Sequence, residues 1–185
     1  MKSILIAIIS LFMLASCQKE QKKETSKQNK QVSPKVQKTI SETNTSQNSS
    51  TENTNVIVDA DGVAIISMTT NDVMKFNINS MTVKAGQKVK LTLTHTGKLD
   101  KRVMGHNVVI LQKGVKMPSF AQKAAASKDN DYIPAGTTDV VAHTKMIGGG
   151  ETTTIAFTAP EVGVYNFICS FPGHYAIMRG KFIVE

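Results

Sequence analysis

The sequence predicts an all-β fold, a sandwich or Greek-key barrel built from many short strands, with one short helix. Between residues 63 and 185, short runs with β-type patterning alternate with turns that contain Gly or Pro. The run Lys88–His95 shows the pattern most clearly, because apolar residues alternate with polar ones along it. Many short strands with a single helical interruption are typical of an all-β sandwich or barrel.

The predicted strands follow one another to the end of the chain. Their ranges are 63–69, 74–78, 88–95, 107–111, 151–158, 163–169 and 179–185. The segment Pro118–Ser127 is rich in alanine and has Pro in its first turn, which predicts a helix. The polar segment 129–136 contains Pro134 and Gly136 and is predicted to be a loop.

The first 17 residues have the pattern of an export signal. One positive charge precedes the apolar run Ile4–Leu14, and small residues precede Cys17. The run is short for a membrane span, which needs about 20 apolar residues. Because Leu14-Ala-Ser-Cys17 resembles a bacterial lipobox, we predict a lipoprotein signal peptide over residues 1–16 and an acylated Cys17 that anchors the chain to a membrane. The alternative is a plain secretory signal with an incidental Cys.

Residues 17–55 are predicted to be the lipidated Cys followed by a disordered polar tether. The segment is almost free of apolar side chains, so it cannot bury enough surface to offset its chain entropy. A flexible chain of this length spans on the order of 35 Å. Residues 18–55 carry a net charge of +3 and residues 56–185 a net charge of +4, without a dense basic run. This distribution argues against nucleic-acid binding.

Four side chains of the domain formed by residues 56–185 match a metal-ligand set. Cys169, His174 and Met178 lie within ten residues, and His106 lies about sixty residues upstream. Thiolate and imidazole donors select copper or zinc over magnesium or calcium, and a trigonal His₂Cys plane with a weak axial Met is typical of blue-copper sites. The turn at Pro172–Gly173 lets Cys169 and His174 point to one metal.

The same side chains are compatible with three arrangements that do not involve copper. A lone Cys in a β protein is commonly a small buried hydrophobe. A structural zinc site is a second arrangement, although zinc favours four strong ligands and Met is a poor one. A catalytic Cys–His pair is a third, and it would need an exposed thiolate and an orienting group. The joint occurrence of Cys, two His and Met favours copper.

The domain resembles the azurin family of blue-copper proteins, and the whole chain resembles a lipid-anchored azurin. The resemblance is carried by Met104-Gly-His-Asn107, Ala142-His-Thr-Lys-Met-Ile-Gly148 and Cys169-Ser-Phe-Pro-Gly-His-Tyr-Ala-Ile-Met178, with His95 eleven residues before His106. It implies a cupredoxin-like Greek-key barrel of about eight strands with an external helical flap. It also implies one type 1 copper per chain, bound by His106, Cys169 and His174 with Met178 axial.

The resemblance further implies the surroundings of the metal. The backbone carbonyl of Gly105 would be a second weak axial contact. Asn107 and the backbone N–H of Phe171 would support the Cys169 sulfur by hydrogen bonds. Around His174 the family docks its partners through an apolar surface. The matching positions are Met74, Leu99, Val103, Met104, Phe171, Pro172, His174, Ala176 and Ile177.

The chain departs from the family pattern at two places that do not touch the ligands. The cysteines of a disulfide common in azurins are absent, and Gly86 stands near one of their positions. The interior Trp common in azurins is also missing, with Val108 near that place. His95 lies on the apolar face of its strand, where it is either a pH-sensitive or a purely structural side chain. His143 is predicted to lie at the surface.

These features predict a membrane-tethered electron carrier of the bacterial envelope and not an enzyme. Its copper would alternate between Cu(I) and Cu(II), and its partners would be redox proteins such as c-type cytochromes, oxidases or reductases. The alternative is a copper storage or delivery protein, although such proteins favour exposed, exchangeable sites. A copper enzyme would need a further metal site with more histidines, and the chain has four His in total.

Overall fold

Ten strands and two α-helices lie within residues 55–185, the part of the chain that this computed structural model describes. The strands are β1 Val56–Val58, β2 Ala64–Asn71, β3 Lys75–Phe76, β4 Ser80–Val83, β5 Lys88–His95, β6 Val109–Leu111, β7 Val140–His143, β8 Thr152–Thr158, β9 Gly163–Ile168 and β10 Arg179–Val184. The helices are α1 Lys101–Met104 and α2 Met117–Ala125. The predicted signal peptide, the lipidated Cys17 and all but the last residue of the predicted tether lie outside the described residues.

The strands form two sheets. The first has the order β1-β2-β5-β8, with β3 paired to β2, and the second has the order β4-β10-β9-β6-β7. The pairs β2–β5 and β4–β10 are parallel, and the other neighbours are antiparallel. Because parallel neighbours cannot be joined by a tight hairpin, the chain crosses between the sheets, and the all-β sandwich prediction is confirmed.

The alternating strand pattern places the main core between the sheets. The side chains of β5 that the sequence assigns to one face, from Val89 to His95, are all buried, and the residues between them face outward. Aromatic side chains from the other sheet complete this core. They are Tyr165, Phe167 and Phe182.

Helix α2 covers a second, smaller core on the outside of the second sheet. Pro118 lies in its first turn, where a missing N–H leaves no helical hydrogen bond unmade. The buried members of this core are Val109, Leu111, Phe120, Ala124, Ile133 and Ile168. The helix predicted over residues 118–127 is confirmed as α2, whereas the four-residue helix α1 was not predicted. Among the described residues, no helix is both long and apolar enough to cross a bilayer.

The observed strands differ from the predicted ones in two respects. One predicted strand at the edge of the first sheet is shorter, and the structure has more strands than were predicted. The predicted strand 74–78 is reduced to Lys75–Phe76, because Met74 has a positive φ of 53° and cannot continue an extended strand. Three strands were not predicted, namely β1, β4 and β7. Each has only three or four residues, so period-2 patterning is too brief to identify it, and β4 pairs with a strand about a hundred residues away.

Candidate metal centre

Three side chains of the kinds that ligate metals meet at one end of the sandwich. The ligand atoms of His106, Cys169 and His174 all lie within 4.8 Å of one another, and the three residues are buried. The Cys169 Sγ atom lies 3.8 Å from His106 Nδ1 and 3.7 Å from His174 Nδ1. The structure therefore brings His106 to Cys169 and His174, although 63 residues separate His106 from Cys169 in the sequence.

The Cys169–Met178 segment is shaped by the turn between β9 and β10. Cys169 follows the last residue of β9, and its N–H donates to the Met178 carbonyl at 2.9 Å. Gly173 has a φ of 83°, which a glycine adopts without strain, and it turns the chain so that His174 faces Cys169. The Met178 N–H donates to the His174 carbonyl at 2.8 Å. Met178 is buried beside this turn, with 1% of its surface exposed.

His106 is held by elements that are distant in sequence. Its backbone N–H and C=O exchange hydrogen bonds with Ile147, each at 2.9 Å. Its Nε2–H donates to the Asn71 carbonyl at 3.0 Å, which leaves the Nδ1 lone pair directed toward Cys169. An imidazole whose far nitrogen is fixed in this way has the tautomer and orientation that a metal requires.

Burial keeps both imidazoles neutral. Desolvation, with a smaller contribution from the neighbouring His174, lowers the pKa of His106 to about 4 against the opposing effect of the Asn71 hydrogen bond. Desolvation likewise lowers the pKa of His174 to about 4. Since a neutral imidazole is the form that binds a metal, both side chains are ready to act as ligands at neutral pH.

The Cys169 thiol lies in a site that disfavours a bare thiolate. Burial raises the pKa of Cys169 to about 12, although the backbone N–H groups of Asn107 and Phe171 donate to the sulfur and lower it. The thiol also faces the Gly105 carbonyl at 3.8 Å. A metal cation would replace the thiol proton and supply the missing positive charge. The donor set of one thiol, two imidazoles and a nearby thioether fits copper.

The Asn107 side chain connects the two metal-binding segments. Its Oδ1 accepts from the Ser170 backbone N–H at 2.9 Å, and its Nδ2 donates to the Ser170 hydroxyl at 2.8 Å and to the Asp131 carbonyl at 3.1 Å. Asn107 follows His106 and Ser170 follows Cys169, so these bonds fix the spacing of two donors. Ser170 and Asn71 were not predicted from the sequence, because their roles depend on long-range contacts.

The remaining histidines are not part of the triad. His95 is fully buried and stacks on His106 with ring centroids 4.7 Å apart. Its Nδ1 accepts from the Gly97 N–H at 3.0 Å, and its Nε2 lies 3.1 Å from the Met104 carbonyl. His143 is exposed, as the sequence predicted.

The predicted docking residues differ in their exposure. Leu99, Val103 and Ile177 are exposed by 42%, 63% and 63%, and Pro172 and Ala176 are also exposed. Met74, Met104 and Phe171 are half-buried, whereas His174 is only 4% exposed. Val73, which is 71% exposed beside Met74, was not predicted. Val73 lies in the turn after β2, where no alternating sequence pattern could indicate its exposure.

A family model describing copper-binding proteins of the plastocyanin/azurin family matches residues 62–185. The chain belongs to this family. Azurin of Alcaligenes faecalis is 43% identical over 119 residues, which cover 62% of this chain and 93% of that protein. The cofactor of this family member is therefore copper, in keeping with the His–Cys–His geometry, and the match supports a type 1 copper electron-transfer protein.

Solved structures agree with this placement. Auracyanin A, a "blue" copper protein from Chloroflexus aurantiacus, aligns with a TM-score of 0.61 at 29% identity, over 67% of this chain and 100% of that chain. An azurin from Methylomonas sp. strain J aligns with a TM-score of 0.60 at 32% identity, over 65% of this chain and 97% of that chain. The cupredoxin-like fold predicted from the sequence is confirmed.

Proposed function

We propose that this protein is a membrane-tethered type 1 copper protein that passes single electrons between redox partners in the bacterial envelope. The observation that carries the proposal is the buried triad of His106, Cys169 and His174, whose donor atoms lie within 4.8 Å of one another. In this proposal the three side chains would bind one copper, and Met178 and the Gly105 carbonyl would be weaker contacts. Bound copper supplies a one-electron redox centre.

The chain's contribution is to hold these donors still. The Ile147 and Asn71 hydrogen bonds fix His106, and the Asn107–Ser170 bonds fix its distance from Cys169. Donors that cannot rearrange keep similar positions in both oxidation states, which favours fast electron transfer. The Asn107 and Phe171 N–H groups stabilise negative charge on the sulfur and thereby influence the reduction potential.

Electrons would enter and leave near His174, the triad member with the largest exposed fraction. The exposed apolar residues around it would form the contact with partners such as c-type cytochromes, oxidases or reductases. These residues include Leu99, Val103, Pro172 and Ile177, with Val73 beside them. The deep burial of the triad disfavours the alternative of copper storage or delivery, since such sites exchange their metal through exposed ligands.

The visible spectrum and voltammetry of the copper-loaded protein test this function. We expect an intense red absorption band from charge transfer between Cys169 and Cu(II), and a reversible one-electron wave. Cys169→Ser should lose the band, while Lys90→Gln, on the exposed face of β5, should keep it. A colourless wild-type protein with bound copper would refute electron transfer through a type 1 site.

Membrane attachment through Cys17 is tested by fractionation of the cells that produce the full chain. Cys17→Ser removes the only side chain in the predicted cleavage region that can be acylated in this way, so the protein should move to the soluble fraction. Ser16→Ala serves as the matched control and should remain with the membranes. Continued attachment of Cys17→Ser would disprove the lipid anchor without affecting the copper proposal.

A further inference from the structure

The end of the sandwich that holds the triad carries a net positive charge. Five basic side chains lie there and all are exposed, namely Lys75, Lys98, Lys101, Arg102 and Arg179. With Asp72, Asp100 and Asp131, whose carbonyl accepts from the Asn107 side chain, they leave a net charge of +2, and the rest of residues 55–185 holds nine basic and seven acidic residues. We refer to Lys75, Lys98, Lys101 and Arg179 as the basic collar.

The members of the basic collar are close in the chain to the apolar docking residues. Lys75 follows Met74 and Lys98 precedes Leu99 in the chain. Lys101 lies one turn before Met104 on α1, and Arg179 begins β10 directly after the Cys169–Met178 turn. Met74, Leu99 and Met104 therefore each have a cation within three residues in the chain, and Arg179 lies two residues after Ile177.

Contacts between the loops bring these segments to one surface. The Asp72 carboxylate accepts from the Lys98 N–H at 2.8 Å and the Leu99 N–H at 3.2 Å, which joins the turn after β2 to the segment before α1. The Asn71 carbonyl accepts from His106, which in turn lies against His174 with ring centroids 5.0 Å apart. The collar is thus assembled around the triad.

The nearby carboxylates do not neutralise the collar. Asp100 accepts from the Arg102 N–H and Nε at 2.8 Å each, so this pair cancels. Asp72 is occupied by the Lys98 and Leu99 N–H groups and lies 3.8 Å from His95. Within residues 55–185, no carboxylate lies within 4 Å of a collar side-chain nitrogen. Glu151 accepts from the Gly148 N–H at 2.7 Å, and Lys145 in the same segment carries the opposite charge.

We propose that the partner of this domain is a redox protein whose own contact surface has an acidic rim around an apolar centre. This inference rests on the proposed electron-transfer function. Unpaired cations at the rim of an apolar contact accelerate encounter with an oppositely charged surface, and salt screens the effect over about 10 Å. A ring of cations around an apolar patch orients such a partner toward the edge of His174.

Electron exchange with two c-type cytochromes of similar reduction potential, one acidic and one basic, tests the acidic rim. Stopped-flow measurements on the copper-loaded full chain should give a rate constant for the acidic cytochrome that falls as ionic strength rises. The double variant Lys98→Gln/Lys101→Gln should lower that rate constant about three- to tenfold at low salt. With the basic cytochrome, the salt dependence and the effect of the variant should have the opposite sign.

Lys88→Gln/Lys90→Gln is the matched control, since it removes the same charge from the far end of β5. Those lysines are exposed and lie roughly 20 Å from the triad end at about 3.3 Å per residue. Equal effects of the two double variants on the acidic cytochrome would refute the inference. It would also be refuted if the collar variant left both cytochrome rates unchanged but lost binding to phosphatidylglycerol vesicles, since the collar would then contact membrane.

The two proposals fail in different ways. A reversible voltammetric wave without preference for the acidic cytochrome would refute the acidic rim and leave electron transfer intact. Absence of the wave would refute electron transfer itself.

Discussion

The two segments that supply the metal-binding side chains are built by different means. The downstream segment, Cys169–Met178, closes on itself through local hydrogen bonds, such as Cys169 to Met178 and Met178 to His174. The upstream segment, Met104–Asn107, is held by distant residues such as Ile147 and Asn71. One half of the site is therefore a turn that local sequence specifies, whereas the other half exists only in the folded domain.

Titration of the metal-free protein gives the largest expected effect and tests whether both segments contribute a desolvated imidazole. An unfolded His has a pKa of about 6.5, and His106 and His174 have pKa values of about 4 in the fold. The unfolded chain therefore binds more protons between those pH values, and stability is lost as the pH falls from 6.5 to 4. The loss should be on the order of 3 kcal/mol for each histidine.

Urea denaturation of the metal-free protein across this pH range is the measurement. His106→Gln and His174→Gln should each keep about half of the wild-type pH dependence. If one variant removed all of it, the desolvated imidazole would belong to one segment alone.

Asn107→Ala breaks the side-chain link between the two segments. It removes the acceptor of the buried Ser170 N–H and the donor to the Ser170 hydroxyl. Leaving buried polar groups without partners costs about 1–3 kcal/mol each, so we expect a loss near 3 kcal/mol. Denaturation of the metal-free protein measures it. Asn130→Ala is the control, because Asn130 makes one local bond to the Ile133 carbonyl, and it should cost about 1 kcal/mol.

Substitution of Gly105 and of Gly173 by alanine tests why each of the two segments needs a glycine. A Cβ at Gly105 would collide with the Lys101 carbonyl and lie 2.9 Å from Met146 Sδ, so packing should be disrupted by about 1–3 kcal/mol. A Cβ at Gly173 meets no atom within 4 Å, and its cost is the positive φ alone, about 1 kcal/mol.

Thermal unfolding of the metal-free variants, together with the copper spectrum, distinguishes the two causes. Gly105→Ala should also alter the spectrum, since the collision moves the chain beside His106. A larger loss of stability from alanine at Gly173 than at Gly105 would contradict the view that close packing requires glycine at 105 whereas only the positive φ requires it at 173.

Met178→Leu is the smallest perturbation and tests the last residue of the downstream segment. Leu fills nearly the same buried volume but has no sulfur, so the red band should persist. Loss of a weak donor to Cu(II) should raise the reduction potential, on the order of the 59 mV that corresponds to a tenfold change for one electron. Voltammetry measures the shift. A lost band would show that Met178 is needed for the site to form.

Short-range patterns in the sequence predict much of this architecture. Strict alternation along Lys88–His95 predicts a strand whose bounds the structure reproduces, and the alanine-rich segment beginning at Pro118 predicts helix α2. The brief strands β1, β4 and β7 escape this approach, because three or four residues carry too little periodicity.

The sequence by itself determined the chemistry of the protein, since a Cys, two His and a Met at characteristic spacing on a β domain point to copper. The tertiary structure decided how those donors are held. Asn71 sets the tautomer of His106, and Asn107 joins His106 to Cys169. The fold also gathered the basic collar from strand β3, the start of α1 with the residues before it, and the start of β10. Local spacing fixes which side chains can reach one another within a turn, whereas contacts between distant segments depend on sheet packing, which no short stretch of sequence encodes.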